Sequence, residues 1–417
     1  MASFFIKTFG CQFNELYSAA VADALLRGGN QRSDDVEHAS LVIVNTCAVR
    51  RKSEEKAFSF LGEAAKVIDA GHIVFMGCVA SLDHERARRI AGHGLRIVEG
   101  TKSLDEVLAV IGTLAPIALD DDPPRSLFPT ADIEIIRGCE SYCTYCIVPT
   151  SRGREVSIDV TDVLTGATKA IDHGFSELLF LGQNINRYQS KVGGLVELMT
   201  LIDGMKGSFW FWFLSPHPAN FRPDEVRRLM ELQHIEHRLH LPLQSGSDRV
   251  LERMNRRYTV SQYEQLAEPV RTADGWALTT DIIVGFPGET DDDFARTVEA
   301  VRQFRFDAVF LAKYSDRPGT PASRMQDKVP AAVIDQRHAL LLGVVQELSE
   351  ESNQRMAGRT VEVLVLSWRE PDRGFGRSID GKNVWFASPG RQPSAGEFVH
   401  VVVDHGSREG VYGTAVW

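Results

Sequence analysis

The segment Arg137-Gly138-Cys139-Glu140-Ser141-Tyr142-Cys143-Thr144-Tyr145-Cys146 places three of the chain's six cysteines within eight residues, directly after the mostly apolar run 133–136. Thiolates from one short loop can reach a single metal site, and the Cys-x3-Cys-x2-Cys spacing suits three corners of a cubic 4Fe–4S cluster. The fourth iron would then remain open to another ligand. A three-cysteine zinc site, or a disulfide with a free thiol, is the alternative, although zinc loops more often supply four ligands as two Cys-x2-Cys pairs.

This loop resembles a known family. Cys-x3-Cys-x2-Cys is the cluster motif of the radical S-adenosylmethionine (radical SAM) enzymes. The longer string RGCESYCTYCIVPTSRGREVS, residues 137–157, is similar to that of the methylthiotransferase branch, in particular its tRNA-modifying MiaB type. The resemblance implies that the open iron binds the amino and carboxylate groups of S-adenosylmethionine (SAM).

Composition places the chain among soluble globular proteins. Its 417 residues allow two or three domains, and 43 % of them are hydrophobic and 24 % charged. The N terminus lacks the pattern of a signal peptide, and no apolar run approaches the ~20 residues that span a bilayer. Six cysteines without a secretion signal favour a reducing compartment. We therefore expect a cytoplasmic monomer with no membrane partner. A net charge of −10 offers no global attraction to nucleic acid, so RNA binding would require local basic patches.

In the first domain, residues 1–118, short apolar runs alternate with amphipathic helical patterns, which predicts a parallel α/β layer. Its expected strands are 4–8, 41–46, 73–76 and 95–98. The other three cysteines, Cys11, Cys47 and Cys78, each follow one of these runs. Because ligands bind beyond the carboxyl ends of parallel strands, the three thiolates are predicted to meet at a second cluster. A lone cysteine, by contrast, is often only a small buried hydrophobic residue.

The strings around these cysteines extend the resemblance to the methylthiotransferase N-terminal domain. They are Gly-Cys-Gln-Phe-Asn at 10–14, Asn-Thr-Cys-Ala-Val-Arg at 45–50 and Gly-Cys-Val-Ala at 77–80. The chain departs from the family at 17–19, where Tyr-Ser-Ala stands in place of Asp-Ser-Glu. We expect Asn14 and Asn45 to be turn or capping residues rather than catalytic groups.

An acidic, proline-marked linker at 120–125 precedes a central domain, residues 128–356, in which strands and helices alternate. The expected strands are 133–136, 177–181, 209–214, 238–243, 278–284 and 308–314. Helices are expected at 160–173, 223–233, 260–274 and 291–304. This pattern predicts a partial TIM-like (β/α)6 barrel, the radical SAM core, with its chemistry at the carboxyl ends of the strands.

Polar groups gather after the later strands, and the resemblance makes these the SAM-binding ends. Gly182-Gln183-Asn184 stands where most radical SAM enzymes have Gly-Gly-Glu, so Gln183 is expected to bind the methionyl amine, with Asn184 beside it. Ser215 and Gln244 follow the third and fourth strands and are further expected SAM contacts. Arg256, in the family's Met-x-Arg-x-Tyr string, is the expected partner of the SAM carboxylate.

Other polar residues have simpler interpretations. Thr290, with Asp293 three residues later, fits a helix N-cap, although adenine contact by the same turn stays open. His217 and His240 are expected to be structural, since hydrogen abstraction by a carbon radical needs no general base. Several basic residues form either a solvated face or a local RNA-facing patch: Arg152, Arg154, Arg249, Arg253, Arg256, Arg257, Lys313 and Arg317.

The tail, residues 357–417, contains five short alternating runs, which predict a small all-β barrel. The expected strands are 360–366, 375–378, 383–386, 397–403 and 411–417. The tail resembles the TRAM domain, an RNA-binding barrel of tRNA-modifying enzymes. Arg377, Asn383 and Phe386 are candidates for phosphate or base contact, unless the barrel is only a folded spacer.

The resemblance implies a radical SAM methylthiotransferase with two 4Fe–4S clusters that uses two SAM molecules per turnover. One SAM would yield a 5′-deoxyadenosyl radical, and the other would methylate sulfur held at the second cluster. The implied target is carbon 2 of N6-isopentenyladenosine at position 37 of tRNA, in the anticodon stem-loop. An electron donor such as flavodoxin or ferredoxin and a sulfur source would be further partners. Methylthiolation of threonylcarbamoyl-adenosine or of a ribosomal-protein aspartate, and a non-catalytic Fe–S RNA-binding protein, are the alternatives.

Overall fold

The computed structural model describes residues 2–49, 51–118, 129–370 and 373–417, so the predicted linker at 120–125 lies outside the described residues. The chain forms two compact units. The first contains the described residues up to 118 with Ile136–Tyr142 and Cys146–Ile158, and the second contains 129–135, Cys143–Tyr145 and Asp159–Trp417. Within the described residues, no helix has the length and apolar character needed to cross a membrane.

The first unit is built on a five-stranded sheet in which every neighbouring pair is parallel, in the order β2-β1-β3-β4-β5. Its strands are β1 (Ser3–Phe9), β2 (Gln31–Arg32), β3 (Leu41–Thr46), β4 (Ile73–Gly77) and β5 (Arg96–Glu99). Its first helices are α1 (Gln12–Arg27), α2 (Arg51–Ala64), α3 (Cys78–Leu82), α4 (His84–Ala91) and α5 (Leu104–Gly112). Strands β3 and β4 are buried along their whole length, which is typical of a sheet covered on both faces. The predicted parallel α/β layer is confirmed, and the short β2 is an addition.

The predicted first barrel strand, 133–136, is in fact divided. Strand β6 (Thr130–Glu134) runs parallel to the next barrel strand, whereas β7 (Ile136–Arg137) forms an antiparallel ribbon with β8 (Val156–Ser157). The division falls at Ile135, whose N–H still donates to Leu181 of the barrel, 3.0 Å away. Helix α6 (Val148–Arg152) lies between the two ribbon strands in sequence and packs against α3.

The second unit contains the predicted partial barrel. Its remaining strands are β9 (Glu177–Leu181), β10 (Trp210–Phe213), β11 (Arg238–His240), β12 (Ala277–Val284) and β13 (Ala308–Lys313). Its helices are α7 (Val160–Asp172), α8 (Leu195–Asp203), α9 (Pro223–Met230), α10 (Asp248–Arg253), α11 (Val260–Thr272), α12 (Asp291–Phe304) and α13 (Ala331–Gln354). Two parallel three-stranded sheets, β10-β9-β6 and β11-β12-β13, are joined by a bridge between Phe211 and Ile235. Strand β11 ends earlier than predicted because Pro242 has no N–H to donate.

The C-terminal part of the second unit is a closed barrel in the order β14-β15-β16-β18-β17, as predicted. Its strands are β14 (Thr360–Glu370), β15 (Arg373–Ser378), β16 (Asn383–Ala387), β17 (Phe398–Gly406) and β18 (Val411–Val416). This small barrel contacts the amino-terminal ends of the larger barrel's strands. Phe398 packs on Trp210 with ring centroids 4.7 Å apart, and Ser176 donates to the carbonyl of Gly396 at 2.6 Å. The small barrel therefore lies on the side opposite the carboxyl strand ends.

Candidate functional site

Cys11, Cys47 and Cys78, here called the first-domain triad, follow the adjacent strands β1, β3 and β4. Cys11 is the N-cap of α1, Cys47 follows β3 directly, and Cys78 begins α3. Cys47 hydrogen-bonds to Cys11, and that bond with the charge of Arg152 lowers the pKa of the Cys11 thiol to about 6 despite burial. Contact with Cys11, together with burial and the nearby Cys78, raises the pKa of Cys47. The predicted convergence of these cysteines is thus present in the fold.

Two buried asparagines hold these loops together. Asn14 Nδ2 donates to Asn45 Oδ1 at 2.7 Å and to the carbonyl of Thr46 at 3.0 Å, while Asn45 Nδ2 donates to the carbonyl of Asn14 at 2.8 Å. Asn14 Oδ1 also accepts from the backbone N–H of Cys11 at 3.3 Å. Asn14 is therefore a capping residue, as predicted. Both asparagines also position cysteines, which the turn-or-cap interpretation did not include.

Glycines permit the close backbone approach behind both cysteine motifs. Gly77, with φ +96°, precedes Cys78, and a Cβ there would collide with the carbonyl oxygen of Thr46. Gly138, with φ +78°, precedes Cys139, and a Cβ there would collide with the carbonyl oxygen of Arg154. Any other residue would be strained at both positions and would displace the adjacent cysteine.

Cys139, Cys143 and Cys146, here called the barrel triad, lie in the loop that follows β7, because the predicted first barrel strand is divided at Ile135. Cys139 and Cys143 are buried, and Cys146 is half-buried. The N–H of Cys139 donates to the carbonyl of Gly153 at 3.2 Å, and the N–H of Val148 points to Cys146 Sγ at 3.5 Å. Hydrogen bonds from backbone N–H groups therefore hold this loop against both ends of α6.

Two nitrogen donors approach the sulfur of Cys143. Arg256 Nη1 lies 3.3 Å and His217 Nε2 lies 3.9 Å from Cys143 Sγ. His217 Nδ1 accepts from the N–H of Ala219, so the proton of the neutral ring is on Nε2, facing the sulfur. Burial, with the charges of Arg256 and Arg257, lowers the pKa of His217 to about 2 and keeps the ring neutral. His217 is thus more than a core residue, a role that sequence spacing alone did not reveal.

Arg256 is buried, and its guanidinium group donates hydrogen bonds to three partners. Besides Cys143, its Nε donates to Tyr258 Oη at 3.2 Å and its Nη2 to the carbonyl of Pro242 at 3.1 Å. A guanidinium has five N–H groups, so one hydrogen on each terminal nitrogen remains available. The interpretation of Arg256 as part of a solvated face is wrong, because only 4 % of its surface is exposed.

The predicted SAM-binding strand ends have unusual backbone conformations. Ser215 (φ +61°) and Gln244 (φ +73°) follow β10 and β11 in the left-handed region. Tyr142, Asn255 and Arg257, in the cysteine loop and beside Arg256, share this conformation. Such residues cost about 1–3 kcal/mol each and concentrate at functional sites. Of the six non-glycine residues with positive φ in the described parts of the chain, five therefore mark the predicted cofactor loops.

Side chains at these ends are available to a ligand to different degrees. Gln244 is buried, and its Oε1 has no hydrogen-bond partner among the described residues. Such an unpaired buried acceptor is costly unless a ligand satisfies it. Asn184 is buried and accepts from Asn220 Nδ2 at 3.1 Å, Gln183 is half-buried, and Ser215 is exposed. The residues present therefore fit a polar ligand such as SAM at the carboxyl ends of the strands.

Thr290 caps α12 in a reciprocal arrangement with Asp293, which confirms the predicted helix start. His240 contacts Thr279 Oγ1 through Nδ1 at 3.0 Å and Asp281 Oδ2 through Nε2 at 3.3 Å. These contacts satisfy both ring nitrogens of His240, in agreement with its predicted structural role.

The predicted basic patch is largely neutralised or buried. Arg152 and Arg317 are buried, with 6 % and 7 % of their surfaces exposed, so they cannot form an RNA-facing surface. Arg256 is also buried, with 4 % of its surface exposed, and the others except Arg257 have carboxylate partners. Arg249 pairs with Asp293, Arg253 with Asp327, Lys313 with Asp335 and Arg154 with Glu140.

Two of the three RNA contacts predicted in the tail are also wrong. Phe386 is 1 % exposed and lies in the core of the small barrel, because it shares a strand face with Val384. Arg377 is largely buried against Glu177 of the larger barrel. Asn383 is exposed, and its Nδ2 donates to the carbonyl of Glu409 at 3.3 Å.

A zinc site gains no support from the geometry. Within the described residues, no group of three or more His, Cys, Asp or Glu side chains is arranged to hold a single metal ion. A cubic cluster differs because each thiolate binds its own iron, so the three sulfurs need not surround one point. The donor sets of both triads, three thiols each with nitrogen donors nearby, fit iron–sulfur clusters.

Two family models match the chain, and each of them contains one of the two cysteine triads. The Radical SAM superfamily model matches residues 133–301, and the model described as uncharacterized protein family UPF0004 matches residues 3–97. Among solved structures, the radical SAM methyltransferase TsrM from Kitasatospora setae gives a TM-score of 0.58 at 12 % identity, covering 85 % of this chain and 90 % of its own. The cobalamin-dependent radical enzyme OxsB gives a TM-score of 0.53 at 11 % identity over 84 % and 56 %. These similarities concern the fold alone.

Curated relatives that match nearly the whole chain include several named tRNA-2-methylthio-N(6)-dimethylallyladenosine synthase. The protein from Thermotoga petrophila is 35 % identical over 99 % of this chain and 97 % of its own length. Those from Fervidobacterium nodosum and Acidothermus cellulolyticus are 36 % and 38 % identical, over 98 % and 95 % of this chain and 97 % and 85 % of theirs. The chain therefore belongs to the radical SAM methylthiotransferases, in the family of these tRNA-2-methylthio-N(6)-dimethylallyladenosine synthases.

Proposed function

We propose that this protein adds a methylthio group to carbon 2 of N6-isopentenyladenosine at position 37 of tRNA. The observation that carries the proposal is the presence of two separate three-cysteine sets in a chain with full-length relatives named for this reaction. The radical SAM family uses a 4Fe–4S cluster and SAM. We assign that cluster to the barrel triad and a second 4Fe–4S cluster to the first-domain triad.

When bound, a cluster at the barrel triad would supply the electron for cleavage of SAM, and a cluster at the first-domain triad would hold the sulfur to be transferred. The surrounding residues bind and orient these groups. Arg256 and His217 direct N–H donors at Cys143 Sγ, and the burial of Cys139 and Cys143 would limit the access of water to a cluster held there. Asn14 and Asn45 perform the corresponding positioning in the first domain.

The SAM site is proposed at the carboxyl ends of the barrel strands. Gln183 would accept from the methionyl amine, and the unpaired Gln244 Oε1 would accept from a SAM amine or hydroxyl group. The two remaining N–H groups of Arg256 would hold the carboxylate. Asn184 and Ser215 complete the polar lining. The domain boundaries 1–118, 128–356 and 357–417 belong to the same proposal.

RNA binding gains support from the outer face of the small barrel. Phe375, Trp385, Tyr412 and His405 form a row across four strands, with successive ring centroids 5.4, 5.1 and 4.8 Å apart. Phe375, Trp385 and Tyr412 are half-buried and His405 is exposed. Aromatic faces stack on unpaired bases without requiring a basic surface, which suits a chain of net charge −10. Binding should therefore weaken only gradually as salt rises.

The substrate is tested by competition. Reconstituted protein with SAM and reductant is incubated with anticodon stem-loops carrying isopentenyl- or threonylcarbamoyl-adenosine, and with a ribosomal-protein loop containing the aspartate. Turnover of the isopentenyl RNA is expected, because an apolar group needs no cationic partner, whereas the threonylcarbamoyl carboxylate does. Flavodoxin and ferredoxin are compared as electron donors, and labelled sulfide identifies the sulfur source. Turnover only of the threonylcarbamoyl RNA or of the peptide would refute this substrate assignment, and failure to cleave SAM would indicate a non-catalytic protein.

A further inference from the structure

Arg152 follows the barrel triad in sequence but contacts the first-domain triad. Its Nε donates to Cys78 Sγ at 3.2 Å, and its Nη1 donates to the carbonyl of Gly100 at 3.3 Å. The guanidinium carbon lies 5.4 Å from the ring centroid of Phe13 and 6.0 Å from that of Tyr17. All of these residues belong to the first unit.

The backbone around Arg152 fixes this position. Ser81 Oγ donates to the carbonyl of Ser151 at 3.0 Å and accepts from the N–H of Gly100 at 2.7 Å. Ser81 lies in α3, the helix that begins at Cys78, and Arg152 ends α6, which packs on α3. The arginine and the cysteine are therefore held on two helices joined by side-chain and backbone hydrogen bonds.

Charge also distinguishes this arginine. Within the described part of the chain, no carboxylate lies within ion-pair distance of Arg152, although the side chain is buried. A buried guanidinium without a counter-charge is strongly unfavourable. The groups that could supply a compensating negative charge are the sulfurs of the first-domain triad, which are thiolates when they bind iron, and Cys78 is in direct contact.

We propose that Arg152 is a positioning residue for the cluster held by the first-domain triad, and that its N–H···S contact with Cys78 raises the reduction potential of that cluster. This inference rests on the second cluster of the proposed function. Hydrogen bonds to ligand sulfurs and the local net charge set the potentials of Fe–S clusters. Reduction adds one electron and therefore one negative charge, which a fixed cation beside Cys78 stabilises.

The test uses the full chain with the barrel triad changed to alanine, so that any remaining cluster signal comes from the first domain. In this background, Arg152→Gln removes the charge, Arg152→Lys retains it, and Arg154→Gln is the matched control from the same loop. Arg154 has 87 % of its side chain exposed and pairs with Glu140 at 3.2 Å. Iron content, circular dichroism and a redox titration followed by electron paramagnetic resonance (EPR) are measured for each.

Arg152→Gln should have a more negative midpoint potential than Arg154→Gln, and Arg152→Lys should lie between them. Loss of iron from Arg152→Gln but not from Arg152→Lys would equally support the counter-charge role. An unchanged potential at full iron content would overturn the inference. Loss of iron and helicity in both Arg152 variants would also overturn it, since the arginine would then act through packing. Absence of any cluster in the parent background would instead refute the two-cluster function on which the inference rests.

Discussion

Replacing Arg377 by methionine should destabilise the contact between the small barrel and the larger barrel, because it removes one cation from a buried network of four ionisable side chains. Arg377, on β15, pairs with Glu177 at the start of β9, and its Nη2 lies 3.7 Å from Glu236 Oε1. Arg238 Nε lies 2.5 Å from Glu236 Oε2. The two glutamate side chains are 1 % and 0 % exposed, so water cannot replace the lost cation.

The expected cost follows from this burial. Removing one partner of a buried ion pair typically costs about 3–5 kcal/mol, whereas an exposed pair contributes about 0–1 kcal/mol. The exposed pair between Arg359 and Asp274, 3.0 Å apart, joins the same two barrels and has side chains 48 % and 84 % exposed. Arg359→Met is therefore the matched control, with an expected loss below about 1 kcal/mol.

The effect of Arg377→Met should depend on pH in a defined direction. Burial alone would raise the pKa of Glu177, but Glu236, Arg377 and Thr130 together lower it from 4.5 to about 2. A group with a depressed folded pKa stabilises the protein above its unfolded pKa, and this stability is lost as pH falls toward the folded value. The difference between wild type and Arg377→Met should thus be largest near neutral pH and decrease below about pH 4.5. Burial raises the pKa of Glu236. This group therefore favours the folded state at low pH and less so as pH rises, in the wild type and in the variant alike.

The measurement is urea unfolding at pH 7 and pH 4, followed by circular dichroism, together with the affinity for an anticodon stem-loop. We expect Arg377→Met to unfold at lower urea than Arg359→Met at pH 7, with the folded variant binding RNA as the wild type does. If Arg377→Met instead weakened RNA binding and left the unfolding midpoint unchanged, the arginine would contact phosphate and the buried-network argument would fail.

Three further predictions concern the clusters. Anaerobically reconstituted protein should hold about eight irons per chain, and alanine at the barrel triad should halve this number, whereas a count near four in the unmutated chain would contradict the two-cluster proposal. Alanine at the first-domain triad should abolish methylthio transfer but leave reductive formation of 5′-deoxyadenosine, and continued methylthiolation would exclude this triad as the sulfur site. His217→Phe should alter the EPR signal of the barrel cluster, because it removes the donor 3.9 Å from Cys143 Sγ, whereas an unchanged signal at full iron content would limit His217 to a packing role.

The cysteine sites could be predicted from sequence because they depend on a local rule. Each first-domain cysteine lies within two residues of the end of a strand, and parallel strands bring such positions to the same edge of a sheet. The error at Phe386 was also avoidable. Val384 and Phe386 are two residues apart in one strand, so they share a face, and that pattern indicates core rather than RNA contact.

The errors at the arginines had a different physical cause. Arg152 and Arg377 lie in polar segments that favour solvent exposure by composition. Arg152 is buried by Phe13, Tyr17 and Gly100, more than 50 positions away, and Arg377 by strands of another barrel. No window of sequence contains these contacts. Burial of a long cationic side chain is therefore the property of this chain that depended most on the three-dimensional structure.

Arg152 and Arg256 show why a chain of net charge −10 can still supply positive charge where chemistry requires it. Each is buried, and among the described residues neither has a carboxylate within ion-pair distance. Each donates instead to one cysteine sulfur of a triad, Arg152 to Cys78 and Arg256 to Cys143. Because a low-dielectric interior screens charge weakly, one buried guanidinium acts more strongly on an adjacent sulfur than many solvated acidic groups do from the surface. The distribution of buried charge, and not the net charge, thus determines the electrostatic environment of the cysteine sites.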